Sequence, residues 1–122
     1  MDQLRVLLID DEEELVTTMV ERLGYRGITA EYALDGYEGL AKIRTQAYHA
    51  IVLDLKLPGL EGTEVLRQIV HQYPDIPVLL ITGHGSPIDP VDPKPEGVYD
   101  YLMKPVKIDL LVQRIREAVG QK

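Results

Sequence analysis

The sequence predicts an α/β fold: a doubly wound, five-stranded parallel sheet with helices on both faces. Two observations carry this expectation. Three short apolar runs, Val6-Leu7-Leu8-Ile9, Ile51-Val52-Leu53 and Val78-Leu79-Leu80-Ile81, are followed by Asp10, Asp54 and Thr82. Continuous β-branched and leucine runs of this length suit strands covered on both faces, as parallel strands are. Between the runs, apolar residues recur at helical spacing, and alternating β and α elements imply right-handed crossovers.

Taken in order, the first strand leads into a helix with Leu15, Met19, Val20 and Leu23 on one face and Gly24 as its stop. A weaker strand follows over Ile28 to Tyr32. Asp35 stands where an N-cap is needed for a second helix, marked by Leu40, Ile43 and Ala47. The third strand ends at Asp54. A third helix opens at Gly62-Thr63, carries Leu66, Ile69, Val70 and Tyr73, and ends before Pro74. The fourth strand ends at Thr82, and a second weak strand covers Val98 to Leu102. Leu111, Ile115, Ala118 and Val119 mark the last helix.

The stretch between Thr82 and Tyr99 breaks this rhythm. It reads GHGSPIDPVDPKPEGV and holds Pro87, Pro90, Pro93 and Pro95, half of the chain's 8 prolines. Each proline costs about 3 kcal/mol inside a helix, because it lacks an N–H donor and clashes with the preceding turn. An extended or polyproline-like crossover is expected over residues 86–96, with a fourth helix there lost or distorted.

Composition sets the outer bounds. At 122 residues the chain is expected to form a single domain over residues 1–122. It contains no cysteine, which excludes disulfides, thiolate zinc sites and cysteine nucleophiles and suits a reducing cytoplasm. Its 13 basic and 20 acidic residues give a net charge of −7. That balance argues against direct nucleic-acid binding and against an anionic membrane surface. The start, MDQLRVLLIDDEEE, interrupts its apolar run with charge too early for a signal peptide. No apolar stretch approaches the roughly 20 residues of a bilayer span. A DNA-binding module has no room in this length unless the chain is a fragment of a longer regulator; without cysteine, signal peptide or bilayer span the expected location is cytoplasmic, and the expected partners are proteins.

In parallel α/β sheets, ligands bind outside the carboxyl ends of the strands. Asp10 and Asp11 follow the first strand, Asp54 ends the third, Thr82 ends the fourth, and Lys104 follows the fifth, before Pro105. Their side chains are expected to converge on one edge. Clustered carboxylates repel, and a hard divalent cation or a raised pKa relieves the repulsion. Oxygen ligands with open positions favour Mg²⁺, which accepts a phosphate oxygen. A nearby lysine and hydroxyl complete the reception of an anion. This chemistry suits a carboxylate nucleophile receiving a phosphoryl group.

The segments LLIDDEEE, VLDLKLPGLEG, LLITGHG and YDYLMKPV together resemble the receiver domain of bacterial two-component response regulators, the CheY-like family. The resemblance covers essentially the whole chain, and the spacing from Thr82 to Lys104 is familiar from regulators with the ITGHG motif. It implies a flavodoxin-like sheet of strand order 2-1-3-4-5 and a stand-alone phosphoacceptor that catalyses only its own phosphorylation and dephosphorylation. Asp54 would be the phosphoacceptor. Asp11 would bind Mg²⁺ directly, Asp10 directly or through water, and the backbone carbonyl of Lys56 would add a ligand. Thr82 would hydrogen-bond the phosphoryl group, and Lys104 would pair with it. The Lys104–Pro105 bond would be cis. Tyr101 would be an aromatic switch coupled to Thr82, its plainer alternative being an ordinary edge-strand tyrosine.

Pro58-Gly59 and Gly62 match the loop after the phosphoacceptor and are equally explained by turn chemistry. Lys56 and His84 stand two residues beyond Asp54 and Thr82, positions that tune phosphoryl lifetime in the family; Lys56 either screens the phosphate or is simply solvated. His49 and His71 read as surface residues. The proline-rich segment departs from the family pattern and places the usual output face in doubt. The implied function is Mg²⁺-dependent acceptance of a phosphoryl group from a sensor histidine kinase, with signalling to an unidentified downstream protein. The rival is a pseudo-receiver, an interaction module that works without phosphate. A phosphohydrolase of the aspartyl-phosphate type would place an acid where Lys56 stands. A dinucleotide-binding Rossmann domain would need a G-x-G-x-x-G after the first strand.

Overall fold

The sheet is assembled around two of the apolar runs. In the computed structural model, which describes residues 3–55, 62–83 and 97–120, β1 (Leu4–Ile9) and β3 (Ala50–Asp54) lie side by side. Outside them lie β2 (Ile28–Ala33) next to β1 and β4 (Val78–Thr82) next to β3, with β5 (Val98–Met103) on the far edge. All pairings are parallel, and the order is β2-β1-β3-β4-β5. This is the doubly wound α/β architecture expected from the apolar runs. Every residue of β3 is buried, as the unbroken Ile51-Val52-Leu53 run requires of a central strand.

Four helices are found among the described residues: α1 (Glu13–Tyr25), α2 (Gly36–Thr45), α3 (Gly62–Gln72) and α4 (Ile108–Ala118). Alternation along each strand divides the core in two. Val6, Leu8, Val52, Leu79 and Ile81 face Val16, Met19 and Leu23 of α1 and Leu111 and Ile115 of α4. Leu7, Ile9, Ile51, Leu53 and Leu80 face Ile43 of α2 and Val65, Leu66 and Ile69 of α3. Burying each such side chain contributes roughly 1.5–3 kcal/mol relative to leaving it in water. The Arg26–Asp109 ion pair between α1 and α4 spans 2.8 Å, but Asp109 is 84% exposed, so packing of Leu111 and Ile115 holds α4 far more firmly.

The helix ends show which local signals decide. Asp35 caps α2, its carboxylate accepting the Glu38 N–H at 2.8 Å. Glu38 reaches back to accept the Leu34 N–H at 2.7 Å, so the two acids satisfy two free donors at the helix start. Gly24 does not stop α1, which runs on to Tyr25; the chain turns at Gly27, with φ of 82°. A residue in that left-handed region is best a glycine, whereas Gly24 sits in ordinary helical backbone. Ala47 lies beyond the end of α2 and is exposed, so Leu40 and Ile43 carry that helix's apolar face. The expectation for residues 86–96 falls outside the described residues. Among the described residues, no helix is long and apolar enough to cross a membrane.

Candidate functional site

Parallel strands bring their carboxyl ends to one edge of the sheet. Ile9 is level with Leu53, Asp54 with Ile81, and Thr82 with Met103. Asp10 follows β1 immediately and is fixed by its own N–H, which donates to the Ala33 carbonyl at 3.0 Å. Asp54 is the last residue of β3. Lys104 leaves β5 and returns toward the sheet's middle, its bond to Pro105 being cis. Asp10, at 2% exposed, and Asp54, at 3%, are the only buried charged side chains among the described residues.

Lys104 joins the acids. Its Nζ lies 3.0 Å from Asp54 Oδ2 and 3.2 Å from Asp10 Oδ2, and it also donates to Glu12 Oε1. Asp10 Oδ1 accepts the Glu12 N–H at 2.9 Å, but no donor is aligned on Oδ2, which is buried without a hydrogen bond despite the nearby ammonium. Carboxylate oxygens of Asp10, Glu12 and Asp54 all lie within 4.8 Å of one another. Three carboxylates against one ammonium leave the site negatively charged.

The electrostatics follow from that count. Burial raises the Asp10 pKa above its usual value, and the Asp54 charge pushes the same way; the Glu12 amide and Lys104 oppose both. Burial works against the Lys104 ammonium, but hydrogen bonds to Glu12 and Asp54 and the charges of Asp10 and Asp54 outweigh it. Its pKa is held above the usual lysine value. Lys104 therefore stays charged at any physiological pH, a fixed cation beside a buried acid.

The structure gathers Asp10, Asp54 and Lys104 directly. Thr82 ends β4 level with Met103. Tyr101 is half-buried on β5 and packs against the core beneath β3 and β4. Asp11 is exposed and stands outside the carboxylate group. Glu12 takes a place in it instead, which the sequence reading did not anticipate. Lys56, Pro58, Gly59 and His84 lie outside the described residues. His49 and His71 are exposed, as read from the sequence. His49 Nδ1 accepts the Arg5 N–H at 3.0 Å, far from this edge at the start of β1.

A family model described as the response regulator receiver domain matches residues 6–116. The chain belongs to this family. Receiver domains are signalling modules of two-component systems rather than enzymes of metabolism. This receiver is 36% identical over 121 residues to the transcriptional regulatory protein YkoG of Bacillus subtilis, covering 99% of this chain and 53% of that protein. It is 37% identical to the transcriptional regulatory protein TrcR of Mycobacterium tuberculosis, over 93% of this chain and 44% of that one. The chain thus spans about half the length of these curated relatives. Among solved structures, the receiver domain of NtrX from Brucella abortus superposes with a TM-score of 0.86 at 32% identity, covering 96% of this chain and 99% of that one. A CheY-like receiver from Methanospirillum hungatei gives 0.85 at 29%, over 97% and 94% of the two chains.

Proposed function

We propose that this receiver accepts a phosphoryl group on Asp54 from a sensor histidine kinase and, in the phosphorylated state, presents an altered surface to a downstream protein. The observation that carries the proposal is a buried carboxylate, Asp54, held 3.0 Å from the Lys104 ammonium at the open edge of a parallel sheet. In the transfer, a carboxylate oxygen of Asp54 forms a bond to phosphorus while the bond from phosphorus to the donor's histidine nitrogen breaks, its electron pair leaving with the imidazole. A small acyl phosphate serves equally as donor, with its carboxylate as the leaving group.

The residues suit a magnesium ion. All the donors are hard oxygens, one of them, Asp10 Oδ2, is buried without a hydrogen bond, and the group carries excess negative charge. Asp10, Asp54, Asp11 and the Lys56 carbonyl are the ligands proposed from family resemblance, while the Glu12 carboxylate is taken up by Lys104. When bound, Mg²⁺ supplies positive charge against the phosphoryl oxygens. Lys104 pairs with the same oxygens, and the Thr82 hydroxyl donates to them. Phosphorylation adds charge that these groups offset best in one conformation, and Tyr101 repacks with it. Hydrolysis of the acyl phosphate by the same residues resets the domain. We assign residues 1–122 to this one module, acting in the cytoplasm.

Incubation with acetyl phosphate and Mg²⁺, read by intact mass, tests the proposal. The wild-type chain should gain one phosphoryl group and Asp54→Asn none. A wild type that stays unmodified, even with a cognate kinase, would favour a phosphate-independent interaction module.

A further inference from the structure

Glu12 occupies the N-cap position of α1, yet its side chain makes no capping hydrogen bond. The short Asp, Asn, Ser and Thr side chains are the ones that cap from that position, and the longer glutamate reaches elsewhere. Here the Glu12 backbone is anchored by Asp10 Oδ1, and its carboxylate extends to Lys104. The Lys104 ammonium has three N–H groups and three acidic neighbours: Glu12, Asp54 and Asp10. A phosphoryl group on Asp54 replaces that carboxylate with three acceptor oxygens and a larger negative charge beside the same cation, so the two remaining acids, Asp10 and Glu12, compete with it for the three N–H groups. The side chains of Asp10 and Asp54 are 3% and 4% exposed, and that of Glu12 is 57% exposed. Only Glu12 can exchange Lys104 for water without leaving a buried charge unpaired.

We propose that Glu12 is a positioning residue of the resting site: it holds Lys104 until the phosphoryl group displaces it, and so weakens the phosphorylated state. This rests on the reading of Asp54 as phosphoacceptor. Glu12 acts through Lys104 and does not touch the reacting atoms. The shorter aspartate side chain keeps the charge but falls short of Nζ, which separates the contact from the charge.

The test is a beryllofluoride titration at saturating Mg²⁺, followed by amide NMR, on wild type, Glu12→Gln and Glu12→Asp. The spectra report folding at the same time. Both variants should bind the phosphoryl mimic about 2–5-fold more tightly than wild type, the range expected of a partly exposed ion pair. Unchanged affinity in Glu12→Gln would overturn the inference. Tightening in Glu12→Gln alone, with Glu12→Asp like wild type, would also overturn it, by assigning the effect to net charge. No binding to the wild type would instead bring down the phosphoacceptor reading itself, and the inference with it.

Discussion

Lys104 Nζ stands 3.0 Å from Asp54 Oδ2, although β4 separates β3, which ends at Asp54, from β5, which Lys104 follows. The lysine side chain crosses the end of β4 to reach the middle of the sheet. It also sits between Asp54 and Asp10, on the two central strand ends. The ammonium is thus the internal counterion of the two buried acids.

Replacing that counterion should destabilise the fold. Lys104→Met leaves Asp10 and Asp54 repelling each other in a buried site. Because Lys104 is 17% exposed, the cost should fall toward the lower side of that for breaking a buried pair, about 2–4 kcal/mol. Urea unfolding in metal-free buffer should show it, and added Mg²⁺ should recover part of the loss. Equal stability of variant and wild type without metal would contradict this picture.

Asp10 gives the pH dependence. Its folded pKa lies above the ordinary aspartate value of 3.8, through burial first and the Asp54 charge second. The folded state therefore holds the proton more tightly than the unfolded chain. This group's contribution to stability is complete below the unfolded value and is lost as pH rises through the raised folded value. Asp10→Asn keeps the acceptor for the Glu12 N–H and removes the charge. Without metal it should be more stable than wild type at neutral pH, with the advantage vanishing as pH falls toward 3.8. An advantage that persists unchanged at low pH would count against the assignment.

Two glycines should respond oppositely to alanine. A Cβ on Gly62 would overlap the Leu55 carbonyl and Cα, backbone that cannot step aside, just past Asp54. Gly62→Ala should cost about 1–3 kcal/mol, as overpacking does. A Cβ on Gly24 meets nothing within 4 Å, and Gly24 lies inside α1. Gly24→Ala should stabilise by about 0.5–1 kcal/mol, the helix-propensity difference. Thermal melts of the two variants compare them directly; a stabilised Gly62→Ala would contradict the close approach at Leu55.

The strand ends were legible because a strand buried on both faces has room for a charged or polar residue only where it reaches the sheet's edge. Wherever an apolar run stopped at Asp10, Asp54 or Thr82, the sheet edge followed. Helix boundaries were less legible. Gly24 and Gly27 look alike as letters, and only the backbone turn at φ of 82° distinguishes the one that ends α1. Ala47 matches the helical spacing but falls after the chain has left α2. Glu12 was hidden for a geometric reason. In the run Asp10-Asp11-Glu12 the letters do not say which acids face the site; the hydrogen bond from the Glu12 N–H to Asp10 Oδ1 turns the chain into α1, with Glu12 directed to Lys104 and Asp11 outward. An alternating in-out-in order at the start of a helix was the available signal.

Borohydride trapping tests the phosphoacceptor most directly. An aspartyl phosphate is an acyl phosphate, and hydride reduces its carbonyl to an alcohol, releasing phosphate and leaving homoserine. After exposure to a phosphoryl donor with Mg²⁺, reduction and digestion, peptide sequencing should find homoserine at position 54 alone, and none when Mg²⁺ is withheld. Homoserine absent from that position, or a phosphoryl group carried stably on another residue, would contradict the account.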